Sequence, residues 1–164
     1  MDDELVDAKI LSNLQLKEKI GKGAYGIGKK VTQHEVTCWI QSHASLVWRA
    51  IDRRTKKPLA VKKCFDSFRN NEDSQRTYRE VSYLKALKEH DNIVHLLDHV
   101  VTEKDLYLLF DYVETDLHVV IGHNILLPIH IQFIIYQLLK ALKYIHSAGI
   151  LHRVSYFSLF SLYY

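Results

Sequence analysis

A lysine in the middle of an apolar strand is the feature that most restricts what this chain can become. Pro58-Leu59-Ala60-Val61-Lys62-Lys63-Cys64 is apolar and β-branched at its centre and starts at a proline, a permitted first residue of a strand. Side chains two apart share a strand face. Ala60 and Lys62 therefore point one way, and Leu59 and Val61 the other. An ammonium in a buried strand costs free energy unless an anion meets it. Eighteen residues after Lys62, within the helical pattern of Thr77 to Leu87, Glu80 shares a face with Leu84 and Leu87. An acid on the apolar flank of a helix wants a cation, and Lys62 is its expected partner. Taken alone, such a pair reads as an ordinary surface ion pair, and the surroundings must decide.

Bulk properties narrow the surroundings. A length of 164 residues suits one domain with a real core and is short for a two-lobed enzyme. With 48% hydrophobic and 25% charged residues the composition is globular. A net charge of +3, with no interleaving of aromatic and basic residues, gives no reason to expect a nucleic-acid partner. Arg53, Arg54, Lys56 and Lys57 form the densest basic patch and read as a solvated turn. Cys38 and Cys64 form no CxxC pair, so neither a zinc site nor a disulfide framework is indicated. Met1-Asp2-Asp3-Glu4 is acidic where a signal peptide would be basic. The longest apolar run, Phe133 to Ile145, is broken by Gln137, Lys140 and Lys143, so no membrane span is expected. The expected location is the cytoplasm, the nucleus or both.

In chain order, Leu14 to Ile20 alternates apolar and polar as a half-exposed strand does. It runs into Gly21-Lys22-Gly23-Ala24-Tyr25-Gly26. In a dinucleotide-binding unit this G-x-G-x-x-G would open a helix. No amphipathic helix follows, which favours a glycine-rich hairpin whose backbone can approach phosphate closely. The second strand of that hairpin, Val47 to Asp52, is delayed by residues 28–46. The glutamate helix spans roughly 71–89, followed by strands at 93–101 and 105–110 around a turn at 102–104. A short helix begins at Thr115-Asp116-Leu117, with Thr115 as cap. From Pro128 a long helix carries Ile131, Ile135, Leu138, Leu142 and Ile145 on one face and stops at Ala148-Gly149.

This order of elements, with the segments IGKGAYGI, VWRAIDRRT, LAVKK, RTYREVSYLKAL, NIVHLLD, LYLLFDYVETDLH and QLLKALKYIHSAGILHR, resembles the mitogen-activated protein kinases. VWRAIDRRT with CFDSFRNNEDSQRTYRE is most similar to the atypical mitogen-activated protein kinase 15 branch. The resemblance covers about residues 14–27 and 47–153. It implies an α+β fold: a kinase small lobe, an antiparallel five-stranded sheet plus one helix, over 14–110, with an irregular insertion at 28–46. A hinge and the first helices of an incomplete large lobe would occupy 111–153, after an N-terminal extension at 1–13. It implies an ATP-dependent serine/threonine kinase acting on protein substrates under upstream regulators. By that resemblance Lys62 holds the α- and β-phosphates and Glu80 fixes its ammonium. Gly21, Gly23 and Gly26 cover the phosphates, and Ile20 and Ala60 pack on the adenine. Phe110 is the gatekeeper, the backbone of Asp111 and Val113 reads the adenine edge, and Asp116 reaches the ribose. His152 and Arg153 match the first two residues of the catalytic H-R-D.

Two departures follow. The valine expected after the last glycine of the loop appears as Val47, and the nineteen residues of 28–46 break the hairpin register. Val154 stands where the catalytic aspartate belongs, and the asparagine and D-F-G aspartate that hold Mg²⁺ have no counterpart here. The expectation is a truncated, catalytically inactive N-terminal piece without metal ligands. The alternative is a non-catalytic module that binds partners or weakly holds nucleotide. Gly28-Lys29 can be encoded GGTAAG and Val154-Ser155 GTAAGT, each containing the start of a splice donor. Within the hydrophobic tail 154–164, which is foreign to the family, Tyr156 to Tyr164 is what pyrimidine-rich codons specify. The expected origin of 28–46 and 154–164 is translated intron; spliced transcripts joining Ile27 to Val47 would establish it.

Other groups read as structure. His90, His95 and His99 fall on a turn and a strand, where they diverge instead of gathering a metal. His146 is expected to pack beside the long helix. Ser12, Ser42 and Ser45 lack a nucleophile elbow. With the Ile131–Ile145 stripe uncovered and a proline-free, uncharged tail, aggregation or chaperone association is expected.

Overall fold

The computed structural model describes residues 6–22, 45–115 and 117–151. They fall into two compact units, one reaching to Val81 and taking in Leu97–Tyr112, the other made of Ser82–Leu96 and the residues from Val113 onward.

The first unit is built on a five-stranded sheet of order β1-β2-β3-β5-β4. Its strands are β1 (Leu14–Lys22), β2 (Ser45–Asp52), β3 (Pro58–Cys64), β4 (Leu96–Val101) and β5 (Leu106–Asp111). A helix, α1 (Ala8–Asn13), precedes β1, and α2 (Asn71–Ala86) follows β3. β3 lies in the middle, antiparallel to both β2 and β5. The register puts Trp48 opposite Val61 and Ala50 opposite Leu59. These four join Val6, Ile10, Leu14 and Tyr107 in one buried cluster. The valine, leucine and isoleucine side chains among them each contribute about 1.5–3 kcal/mol by leaving water. The basic residues at 53–57 are the exposed turn between β2 and β3. There the backbone N–H groups of Thr55 and Arg54 hold the Asp52 carboxyl below its usual range.

Three boundaries differ from the sequence expectation. Residues 8–13, read only as an extension, form a helix whose Ile10 is buried in the sheet's core. Asp7 caps that helix through Lys9 N–H at 2.8 Å. Ser45 and Leu46, assigned to the irregular insertion, are the first residues of β2, with Leu46 opposite both Lys22 and Lys63. β4 starts at Leu96, not Ile93, because the Ile93 N–H closes a turn onto the His90 carbonyl at 3.0 Å. The rest of 23–44 lies outside the described residues.

The second unit contains the last turns of α2, then α3 (Leu117–Gly122) and α4 (Pro128–Ser147). Its core is Leu87, Ile93, Ala141 and Ile145, with Leu142, Tyr144 and Ile150 packed against it. Pro128 opens α4, where a missing N–H is harmless. Gly149, at φ +70°, ends it, and Ile150 N–H reaches back to the Ile145 carbonyl at 3.0 Å. His146 is exposed, not packed as expected: the helix turns its ring away from the face that buries Ile145. Among the described residues, no helix is long and apolar enough to cross a membrane.

Candidate functional site

The alternation that buries Leu59 and Val61 sends Ala60 and Lys62 to the opposite face of β3. On that face Ala60 sits opposite Arg49 and Phe110, and Lys62 opposite Val47 and Leu108. A small side chain at 60 leaves the surface beside Lys62 low.

Helix α2 supplies the anion. Asn70 accepts the Asp73 N–H on its side-chain oxygen at 2.8 Å, opening the helix, and Asp73, Thr77 and Glu80 then recur on one face. Lys62 Nζ donates to Glu80 Oε1 at 2.6 Å, with the two side chains 28% and 40% exposed. Burial, the largest influence, presses the Lys62 pKa down. The field of Glu80, aided by Cys64 and by the hydrogen bond itself, more than offsets it, and the net shift is upward from 10.5. Lys62 is thus a fixed, fully charged ammonium, half open to solvent, beside an apolar floor. Such a group can receive an anionic ligand such as phosphate.

The other expected site residues are spread more widely. Gly21 lies opposite Val47 at the end of β1, where an added Cβ would make an ordinary 3.6 Å contact. The need for glycine there is therefore not steric. Ile20 sits at a register shift between Lys19 and Gly21 and is 44% exposed. Phe110 is half-buried and Asp111 ends β5, whereas Val113 belongs to the second unit. Gly23, Gly26, Asp116, His152, Arg153 and Val154 lie outside the described residues. Lys62, Glu80, Ala60 and Phe110 are thus brought onto or against one sheet face. Among the described residues no three His, Cys, Asp or Glu gather in a way that could hold a metal ion.

Two features escaped the sequence reading. Lys63, not Lys62, is the more deeply buried lysine, and it pairs with Asp105 at 2.8 Å. The period-two rule that put Leu59 and Val61 inside also puts Lys63 there, so the signal was present. Arg49 bridges Glu18 at 3.2 Å and lies 5.0 Å from the centre of the Tyr112 ring; no local pattern announces it.

Comparison with known proteins places these residues in a family context. The protein kinase domain model matches residues 41–153. The chain is 46% identical over 155 residues to extracellular signal-regulated kinase 2 of Dictyostelium discoideum, covering 93% of this chain and 37% of that one. It is 44% identical over 151 residues to mitogen-activated protein kinase 15 of Xenopus laevis, covering 90% and 22%. The same-named protein of Mus musculus is 42% identical over 151 residues, covering 90% and 24%. The chain spans less than half the length of these curated relatives.

Proposed function

The chain belongs to the protein kinase family, within its mitogen-activated group, and from that premise we propose that it holds ATP through Lys62 without itself transferring phosphate. Its antiparallel five-stranded sheet with α2 is the small lobe of that fold. The observation that carries the reading is the 2.6 Å ion pair between Lys62 and Glu80 on the Ala60 face. Paired in this way, the ammonium is oriented before a ligand arrives, and less freedom is lost on binding. When bound, ATP would supply the transferable phosphoryl group, held at Lys62, and Mg²⁺ would neutralise charge on its phosphates. Among the described residues no three His, Cys, Asp or Glu gather in a way that would hold that ion.

Transfer is a different matter from holding. A serine or threonine hydroxyl must lose its proton to a positioned base. In His152-Arg153-Val154 the third residue has no proton acceptor. Protein substrates, upstream regulators and a cytoplasmic or nuclear location are proposed for the longer kinases of this type, and the present chain contributes the nucleotide-holding part.

Fluorescent ATP titration of the chain and of Lys62→Met tests the reading. Losing a charge-assisted contact to phosphate weakens binding about tenfold or more. Equal binding by the two proteins would overturn the role of Lys62. Radiolabelled transfer to a basic protein, present in the chain and abolished by Lys62→Met, would overturn the claim of inactivity.

A further inference from the structure

The link from β3 to α2 is tied down by a chain of polar contacts that the nucleotide reading does not use. Lys63 Nζ lies 2.8 Å from Asp105 Oδ2, and also over the rings of Phe65 at 4.5 Å and Tyr107 at 5.5 Å. The other carboxylate oxygen, Oδ1, accepts the Asp66 N–H at 3.0 Å. Asp105 is itself held: its N–H donates to Thr102 Oγ1 at 3.1 Å, and its carbonyl accepts the Thr102 N–H at 2.9 Å. One residue along, Ser67 N–H donates to the Lys104 carbonyl at 2.8 Å, and Ser67 Oγ to the Cys64 carbonyl at 2.9 Å. The Ser67 carbonyl then accepts Thr77 Oγ1 at 3.2 Å. Ser67 is fully buried and Thr77 nearly so, where a lost hydrogen bond is not replaced by water.

These contacts run without a break from the β4–β5 turn to the middle of α2. Thr77 and Glu80 are three residues apart on one helix face, about 4.5 Å along the axis. We propose that Asp105 is a positioning residue, which through Asp66, the adjoining Ser67 and Thr77 sets the rotation and height of α2 at which Glu80 meets Lys62. The consequence for nucleotide holding rests on the reading of Lys62 given above. The connector has reason to need the tie: it holds Asp66 at φ +49°, a conformation that an unanchored aspartate leaves readily. A simple structural staple would use the same contacts, so the test must read the Lys62–Glu80 pair itself.

A double-mutant cycle does so. In the full chain, Lys62→Met, Glu80→Gln and their combination are compared by urea unfolding, which isolates the coupling between the two groups. The cycle is repeated in Thr77→Val, which keeps the shape but removes the donor, in Thr77→Ser, which restores it, and in Asp105→Asn. The expected coupling is about fivefold in the folding equilibrium for a half-exposed pair. It falls to near unity in Thr77→Val and Asp105→Asn and survives in Thr77→Ser. Coupling unchanged in Thr77→Val, with stability alone reduced, would overturn the proposal. That background decides even if Asp105→Asn does not fold. Fluorescent ATP added to the unmodified chain separates the two readings: no binding there refutes nucleotide holding and leaves the coupling result to judge Asp105.

Discussion

Lys62 and Lys63 are adjacent, and the strand sends them to opposite environments. Lys62, half-exposed, meets one carboxylate; Lys63, almost fully buried, meets a carboxylate and two rings. Losing their partners should therefore have different effects. Glu80→Gln costs about 1 kcal/mol or less in urea unfolding, as half-exposed pairs do. Asp105→Ala removes the counter-charge of a buried ammonium and costs about 3–5 kcal/mol. Similar losses in the two variants would contradict the burial assigned to Lys63. Cys64 is the third residue in this group. Burial, helped by Glu80 and Asp105 and opposed by Lys62, pushes its thiol up to about 11. The thiol is therefore neutral at physiological pH, and in a Cys38→Ser background its alkylation at pH 7.5 should be at least tenfold slower in the folded chain than in urea. The sign for stability follows from linkage. Unfolded, the thiol loses its proton near 9.0, so between 9.0 and about 11 the folded chain binds more protons and stability falls as pH rises. Lys62 and Lys63, also raised, extend the fall above 10.5. Melting temperature should drop from pH 9 upward, and Cys64→Ala should flatten the first part of that drop.

At the scale of elements, α1 is held by tertiary contacts alone. Six residues are too few for a helix to persist in water. It is kept by Ile10 in the core, by Asp7 N–H donating to the Tyr107 hydroxyl at 3.1 Å, and by Arg53 bonding the Asn13 and Leu11 carbonyls. Ile10→Ala should cost about 2–4 kcal/mol, read from the urea midpoint, and an unchanged midpoint would place α1 outside the core. This dependence on distant partners is why the helix was not legible in the sequence, where residues 8–13 show no sustained period. β3, α2 and α4 were legible because their periods of two and 3.6 are strong and local. The same rule made Lys62, Glu80 and Ala60 legible as one constellation. It failed at Ile93, whose apolar character suits a strand and a turn-buried anchor equally well, and the turn onto His90 decides the matter.

For the whole molecule, the exposed side of α4 matters more than the mild net charge of +3. Ala141 and Ile145 are buried at one end of the helix, yet Ile131, Ile135 and Leu139 are 45%, 46% and 57% exposed. These three recur every four residues and form one stripe. Soluble proteins rarely leave a contiguous apolar patch larger than a few hundred Å² uncovered, and such a stripe favours association. Three long apolar side chains outweigh the weak repulsion between molecules of charge +3, which salt screens within about 10 Å. The chain at tens of micromolar should therefore scatter light as an oligomer. Ile135→Glu with Leu139→Lys removes two of the three and adds a helix-stabilising pair at i, i+4, so the fold is preserved. That double variant should scatter as a monomer with an unchanged melting profile; a monomeric parent chain, or a double variant equally associated, would show that the stripe drives nothing.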